Sequence, residues 1–378
     1  MVVESDFIIV GAGIAGTSSG YWLSKQYRVT VLEMESQPGY HTTGRSLAMY
    51  TEAYGPRTVR ALAKASFEFL THPPDGFSDR PLSTVTGFMF IAREDQRASL
   101  RQALREAQSL SPEIHAITPA LAIEMVPALR KEYVRAAFLD PNTLSLDVDA
   151  IHQGFIRGMK KRGATFFCDV PVRDPVWDGQ KWRLDSPRGS FAAPLVINAA
   201  GAWADEVAAQ FGARTIGLQP KRRTVIAFAP PVEITVADKW PFVFDTDEQF
   251  YFKLDAGTVL ASPADETPVP AQDVQPEDID VALTVDRIQN ATHLQVHRII
   301  RKWAGLRSFV NDSVPVVGRD ADAPGFFWCA GQGGYGIETS WAMGEATAAL
   351  ASGAGLPVRL GDAGIAEADL SPTRKTIA

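Results

Sequence analysis

The six residues Gly11-Ala12-Gly13-Ile14-Ala15-Gly16 and the acid Glu33 are the part of this chain whose types and spacing most directly imply chemistry. Gly11 permits a tight turn, Gly13 lets the backbone approach a pyrophosphate at a helix N-terminus, and Gly16 allows that helix to pack closely on a strand. Glu33, about twenty residues on, can accept hydrogen bonds from an adenosine ribose and would repel a 2′-phosphate, which argues against NADP. An isolated glycine run also occurs in unrelated α/β turns, so the flanking elements decide its meaning.

Those elements are legible. Asp6 to Val10 reads as a buried strand, a helix is predicted through about Ser24, and Arg28 to Leu32 is a second apolar strand that ends at Glu33. Together they make a βαβ unit. Three later segments favour FAD over NAD as the dinucleotide. Gly39-Tyr40-His41-Thr42-Thr43-Gly44-Arg45-Ser46 supplies hydroxyls, glycines and an arginine suited to phosphate and ring contacts, a solvated loop being the alternative. Leu195 to Trp203 is a buried strand that stops at the small residues Asn198-Ala199-Ala200-Gly201, either beside a cofactor or simply in a core. Phe326 to Gly336 is an apolar strand and a glycine loop, with a helix expected to start near Ile337 and run through about Leu350. Such a helix start directs backbone N–H groups where a reduced flavin's negative charge would be stabilised.

The rest of the composition narrows the partners. The 378 residues suit two interleaved domains, and 46% apolar with 21% charged residues is a globular profile. A net charge of -7 leaves no basic surface for nucleic acid or an anionic membrane, so a small molecule is the expected partner. Cys168 and Cys329 imply neither a disulfide framework nor a zinc site and fit a reducing cytosol. His293 and His297 have the i, i+4 spacing of two ligands, but with no third ligand a solvated helix face is preferred and no metal is expected. Phe7 to Ser24 is uncharged yet contains four glycines and follows Glu4 and Asp6, so it reads as strand, turn and helix rather than a leader or a transmembrane segment. A cytoplasmic location is expected, with peripheral attachment to an inner membrane left open.

The three segments, in this order behind GAGIAG, resemble the glycine oxidase and D-amino acid oxidase superfamily of FAD enzymes over essentially the whole chain. Within it, the runs QPGYHTTGRS, Tyr50 to Gly55, GLQPKRR, QFYFK, WAGLRSF and GGYGI are similar to the D-arginine dehydrogenases. The resemblance implies an α/β fold: a Rossmann-like FAD domain of the glutathione reductase type with an inserted α+β substrate domain built on a mixed sheet. The FAD domain would take 1–55, 145–215 and 300–378, and the substrate domain 56–144 and 216–299. FAD would be non-covalent, because the cysteine that tethers flavin in sarcosine oxidase relatives has no counterpart after Arg307. The implied cofactor contacts comprise the glycine run and Glu33 with Met34, Thr42 to Met49 (Leu47 and Ala48 included), Val172, Ala200, Gly201, Trp203, Gly305, Gly333, Gly334, Tyr335, Gly336, Ile337 and Glu338.

Lys221 to Phe228 alternates as a strand, so Arg222 and Arg223 point to opposite faces and one can project inward. By resemblance it is Arg223, paired with Arg307, that grips a substrate carboxylate through forked, charge-assisted bonds. Tyr54 and Tyr251 match the family's active-site tyrosines, Tyr54 as part of a lid and Tyr251 with a buried structural role as its alternative. Three departures bear on substrate and flavin. Phe88 stands where the D-arginine dehydrogenases set a glutamate against the guanidinium, and Phe242 and Phe244 replace smaller apolar residues. Such a pocket suits an apolar or aromatic side chain, unless these rings merely pack the sheet. Near the flavin, Met49 replaces a histidine and Glu338 a glutamine. Glu338 is either a dipole-stabilised helix acid or a group able to take up a proton.

The implied reaction is oxidative deamination of a D-amino acid: hydride leaves the α-carbon for flavin N5, and the imine hydrolyses to a 2-oxo acid and ammonia. The base is Glu338, a tyrosine through water, or solvent. The same clamp would serve glycine, N-methyl amino acids or 2-hydroxy acids, and a non-catalytic FAD-binding regulator is the rival outside enzymology. The electron acceptor is oxygen, a quinone or another carrier.

Overall fold

Four consecutive apolar residues, Phe7–Val10, form a fully buried strand in the middle of a six-stranded sheet. The order is Thr165–Phe167, Val29–Leu32, Phe7–Val10, Leu195–Asn198, Phe326–Ala330 and Val316–Arg319. All neighbours are parallel except the last pair. A strand covered on both faces needs no polar alternation, which is why these segments read as unbroken apolar runs. The computed structural model describes residues 2–109, 111–230 and 239–377; residues 1, 110, 231–238 and 378, inside the ranges given above, lie outside the described residues.

The helix Ile14–Leu23 is made of small and apolar residues on every side because neighbours enclose it. Helix Ser340–Ser352 approaches so closely that a Cβ on Gly344 would lie 2.7 Å from the Ser18 backbone. On another side a Cβ on Gly20 would meet the Met159 methyl, on helix Val148–Lys161, at 2.2 Å. This close packing holds the start of Ile14–Leu23 rigidly over the sheet's carboxyl edge, where open α/β sheets bind their ligands. A four-stranded sheet is ordered Val2–Glu4, Gly189–Ala193, Trp182–Ser186 and Val176–Trp177.

The second large sheet has nine strands. Thr267–Pro268, Gln219–Phe228, Thr258–Ser262, Tyr251–Asp255, Phe242–Asp245, Phe88–Ala92, Ala136–Asp140 and His115–Ile117 follow one another, and Ile299–Phe309 pairs with Gln219–Phe228. It is mixed because Phe242–Asp245 runs parallel to Phe88–Ala92 while the other neighbours are antiparallel. A three-stranded sheet of Met49–Tyr50, Leu144–Leu146 and Ser83–Val85 completes the strands among the described residues. A parallel nucleotide-type sheet joined to a mixed sheet is the α/β architecture expected. The two-domain division is proposed on the expected boundaries with one amendment: residues 300–309, assigned above to the FAD domain, are hydrogen-bonded along their length into the mixed sheet.

Two local expectations need correction. The last long helix begins at Ser340, not near Ile337. Gly331 and Gly333 adopt positive φ, and tight bonds from Tyr335 N to Gln332 O and from Ser340 N to Ile337 O wind the chain through turns first. His293 and His297 are exposed but not on a helix, because Asp278–Ala291 ends at Thr292, whose backbone is extended. Cys168 and Cys329 are free thiols, and Cys329 is buried in its strand against Thr347. Among the described residues no group of three His, Cys, Asp or Glu could hold a metal ion, and no helix is long and apolar enough to cross a membrane.

Candidate active site

Two cavities open where the parallel strands end. They share Gly13, Thr42, Thr43, Ala199, Gly201 and Ala202, and so form one elongated tract from Glu33 to Arg223. At its nucleotide end Gly11 has φ +102°, and a Cβ there would sit 2.4 Å from the Ala199 carbonyl oxygen. Glu33 is buried, with Oε2 accepting from Ala12 N at 2.8 Å and Oε1 from Glu35 N at 3.0 Å. Two backbone donors fix the carboxylate, and each oxygen keeps a lone pair for a ribose hydroxyl. Met34, Val172, Ala200 and Trp203 line the same end.

His41 was not among the expected contacts, yet it lines this cavity with its ring 4.5 Å from that of Trp203 and its Nε2 2.8 Å from Glu35 Oε1. Its Nδ1 is buried and, among the described residues, has no hydrogen-bond partner. A glycine-lined cavity with a fixed acid, and with His41 packed on Trp203 at its wall, suits the adenosine part of FAD. At the other end Ile14, Ala15, Ser46, Leu47, Ala48, Met49, Gly305 and the loop Gly333 to Glu338 border the space that the flavin ring would take. Gly16 and Gly44 border neither cavity. They let backbone pass backbone, since a Cβ on Gly16 would lie 2.0 Å from Gly11 O and one on Gly44 2.6 Å from Gly39 O. Arg45 borders the tract, but its guanidinium bonds the carbonyls of Val274 and Ala304 and the Asp273 carboxylate, which ties the loop to the mixed sheet.

Strand alternation separates the neighbouring arginines. Arg222 is 4% exposed and ion-paired with Asp265, Glu277 and Asp280. Arg223 borders the cavity, as does Arg307 from the adjacent strand. Both guanidiniums bond one oxygen of Glu266, at 3.0 Å from Arg223 and 2.9 Å from Arg307. Arg307 is walled by the Phe309 and Tyr335 rings and by Gly334, where a Cβ would lie 2.0 Å from its Nη2. Phe88, Phe242, Phe244, Tyr251 and Tyr54 border the same cavity. Tyr251 stacks on Phe244 at 5.9 Å, and Phe88 meets Phe242 and Phe244 edge-on. Tyr54 packs against Phe244 and Tyr335 and donates to Glu248 at 3.0 Å.

Glu338 closes the cavity between the glycine loop and residue 51. It is 5% exposed, and its Oε2 accepts from Thr51 N at 3.1 Å. Burial pushes its carboxyl up to about 8, against the opposing pull of the Thr51 N–H and the Arg307 charge. Every expected site residue except Gly16 and Gly44 thus lines the tract. Thr51, His41, Glu248 and Glu266 are additions whose roles come from contacts between segments distant in the chain.

The chain matches the DAO family, FAD dependent oxidoreductase, over residues 6–350. It belongs to that family, and FAD is its cofactor. It is similar to the oxidoreductase YurR of Bacillus subtilis (strain 168), 26% identical over 369 residues that cover 92% of this chain and 95% of the relative. It is also similar to the glycine oxidase of Geobacillus kaustophilus, 22% identical over 353 residues that cover 89% of this chain and 90% of the relative. The structure of L-proline dehydrogenase from P.horikoshii shares the fold, with TM-score 0.81 and 22% identity over 95% of this chain and 96% of that one.

Proposed function

We propose that this chain oxidises a D-amino acid with an apolar or aromatic side chain, using non-covalently held FAD. The product is an imino acid that water converts to a 2-oxo acid and ammonia. The observation that carries this reading is one cavity bordered by two arginines, Arg223 and Arg307, and by the rings of Phe88, Phe242, Phe244 and Tyr251. Forked guanidinium bonds suit an α-carboxylate, while the aromatic wall would leave a cationic side chain without compensation for lost water. FAD, when bound, supplies the acceptor for the hydride that leaves the α-carbon.

The chain's own residues orient the substrate and move its proton. Arg223 and Arg307 fix the carboxylate, with the hydroxyl of Tyr251 as a further donor and that of Tyr54 once it leaves Glu248. Residues 51–56, anchored by Thr51 to Glu338 and Asp140, carry Tyr54 over the cavity and limit water. Glu338 takes a proton from the substrate's ammonium, freeing the lone pair that supports the developing iminium. The D-configuration is supported by the runs similar to D-arginine dehydrogenases, and the apolar preference by Phe88 in place of their acid. A second reading, oxidation of glycine or an N-methyl amino acid, is favoured by the similarity to a glycine oxidase.

The test is anaerobic bleaching of the flavin band by D-phenylalanine, D-leucine, D-arginine, their L-forms, glycine, sarcosine and a 2-hydroxy acid. Rapid bleaching by the apolar D-acids is expected. Fastest bleaching by glycine or sarcosine would install the second reading, and none by any of these acids would leave a non-catalytic FAD-binding protein. Repeating turnover with oxygen and with a soluble quinone identifies the electron acceptor.

A further inference from the structure

The two arginines of the cavity are joined by a carboxylate that belongs to the chain itself. Glu266 Oε1 accepts from Nη2 of Arg223 and from Nη1 of Arg307, and its Oε2 takes Lys221 Nζ at 2.9 Å. Burial alone would raise this carboxyl, but the Lys221 bond and the charges of Arg307 and Arg223 hold it below the ordinary glutamate value. It is therefore an anion shared by three cations.

The local fold places it there deliberately in register. After strand Thr258–Ser262, Ala264 turns the chain with φ +54°. Asp265 then accepts from Thr224 N at 2.6 Å and from its hydroxyl at 3.1 Å. Beyond it, Thr267 and Pro268 pair with Arg222 and Lys221. Glu266 is thus fastened on both sides to the strand that carries Arg223. Both arginines border the cavity and Glu266 does not, so the carboxylate grips the guanidiniums from outside. It uses one nitrogen of each, Asp265 O takes Arg223 Nε, and both guanidiniums still border the cavity with further N–H groups to offer a ligand.

We propose that Glu266 is the resident counter-ion of the clamp: it positions Arg223 and Arg307 and, by neutralising one of their charges, restricts the cavity to ligands with a single carboxylate. This rests on the reading of the two arginines as a carboxylate clamp. Two guanidiniums bonded to one oxygen stand within about 6 Å of each other, a separation at which like charges shielded from water repel strongly. Glu266 offsets that repulsion before any ligand arrives. Lys221 does not border the cavity and is 30% exposed, so water screens its charge. Of the two arginines, Glu266 leaves one charge that a single ligand carboxylate balances, and with Glu266 in place a second anionic group meets no unpaired cation of the clamp. Without its charge, the attraction gained by a ligand scales with the ligand's own charge, so a dianion gains more than a monoanion.

The experiment uses the FAD-loaded protein and two variants, Glu266→Gln and Glu266→Asp, with flavin content and melting temperature recorded for each. Dissociation constants for benzoate and phthalate are read from perturbation of the flavin band at a pH where both acids are fully ionised. The wild type is expected to prefer benzoate. Glu266→Gln is expected to move the ratio of the two constants toward phthalate by at least tenfold, about 1.4 kcal/mol. Glu266→Asp keeps the charge and is expected to hold the ratio within about threefold of wild type, even where its shorter reach weakens both ligands. A ratio unmoved in Glu266→Gln, including a parallel loss of both affinities, overturns the proposal while leaving the clamp intact. A wild type that binds neither acid overturns the clamp reading and this one with it.

Discussion

Glu338→Gln removes a carboxyl that the fold holds away from water. The amide keeps the size and the oxygen that accepts from Thr51 N, and deletes the titration. Burial moves this group from 4.5 to about 8. Between those values the folded protein binds the proton and the unfolded chain does not, so stability falls as pH rises through the window and the loss is complete above about 8. At roughly 1.4 kcal/mol per tenfold change in proton concentration, the full loss is on the order of 5 kcal/mol. Relaxation and water entry reduce such costs, so roughly 2–4 kcal/mol is the working expectation.

The assay is urea unfolding of both proteins at pH 5 and at pH 9. The variant should gain on the wild type by that amount between the two conditions; parallel behaviour would refute the buried-acid argument. The same pair tests the proton transfer. Wild-type kcat/KM should rise through a limb near pH 8, and the variant should lack the limb and be slower by roughly a hundredfold at high pH. A stability difference with the limb retained would mean a buried acid with no part in catalysis.

Other substitutions probe the tract along its length. Gly11→Ala puts a Cβ 2.4 Å from the Ala199 carbonyl oxygen in a left-handed conformation, and should yield protein with little flavin by its visible absorbance; full flavin content would contradict the cradle. Gly334→Ala forces the Arg307 guanidinium to move, so KM for the amino acid should rise at least roughly tenfold with flavin retained, and an unchanged KM would remove Arg307 from the clamp. Phe88→Glu buries a carboxylate among Phe90, Phe242 and Phe244. It should cost roughly 2–4 kcal/mol in urea unfolding and raise turnover of D-arginine relative to D-phenylalanine. An unaltered preference would show that residue 88 does not meet the substrate side chain.

The nucleotide end was the most legible part. Gly11, with its positive φ, and Gly16, pressed against the Gly11 carbonyl, belong to one βαβ unit, and local geometry is written in local sequence. The runs of buried strand were equally plain, because Phe7–Val10, Leu195–Asn198 and Phe326–Ala330 are enclosed on both faces. Helix boundaries were less so: Ser340 follows turns that two positive-φ glycines allow, and Thr292 ends a helix before the histidine pair.

What the sequence determined by itself is local: a glycine-rich βαβ unit, a strand whose alternation separates Arg222 from Arg223, and an aromatic-rich set of strands. Tertiary structure decided which charges meet. Arg45 looked suited to phosphate, and its donors go to Asp273, Val274 and Ala304. Glu266 lies 43 residues beyond Arg223 and 41 before Arg307, and only strand pairing brings its one oxygen to both. Glu338 reads in sequence as either a helix acid or a proton acceptor, and only the fold buries it between residue 51 and the glycine loop. The reason is physical: residue type sets what a group can do, while burial and long-range pairing set its charge, its partners and its reach.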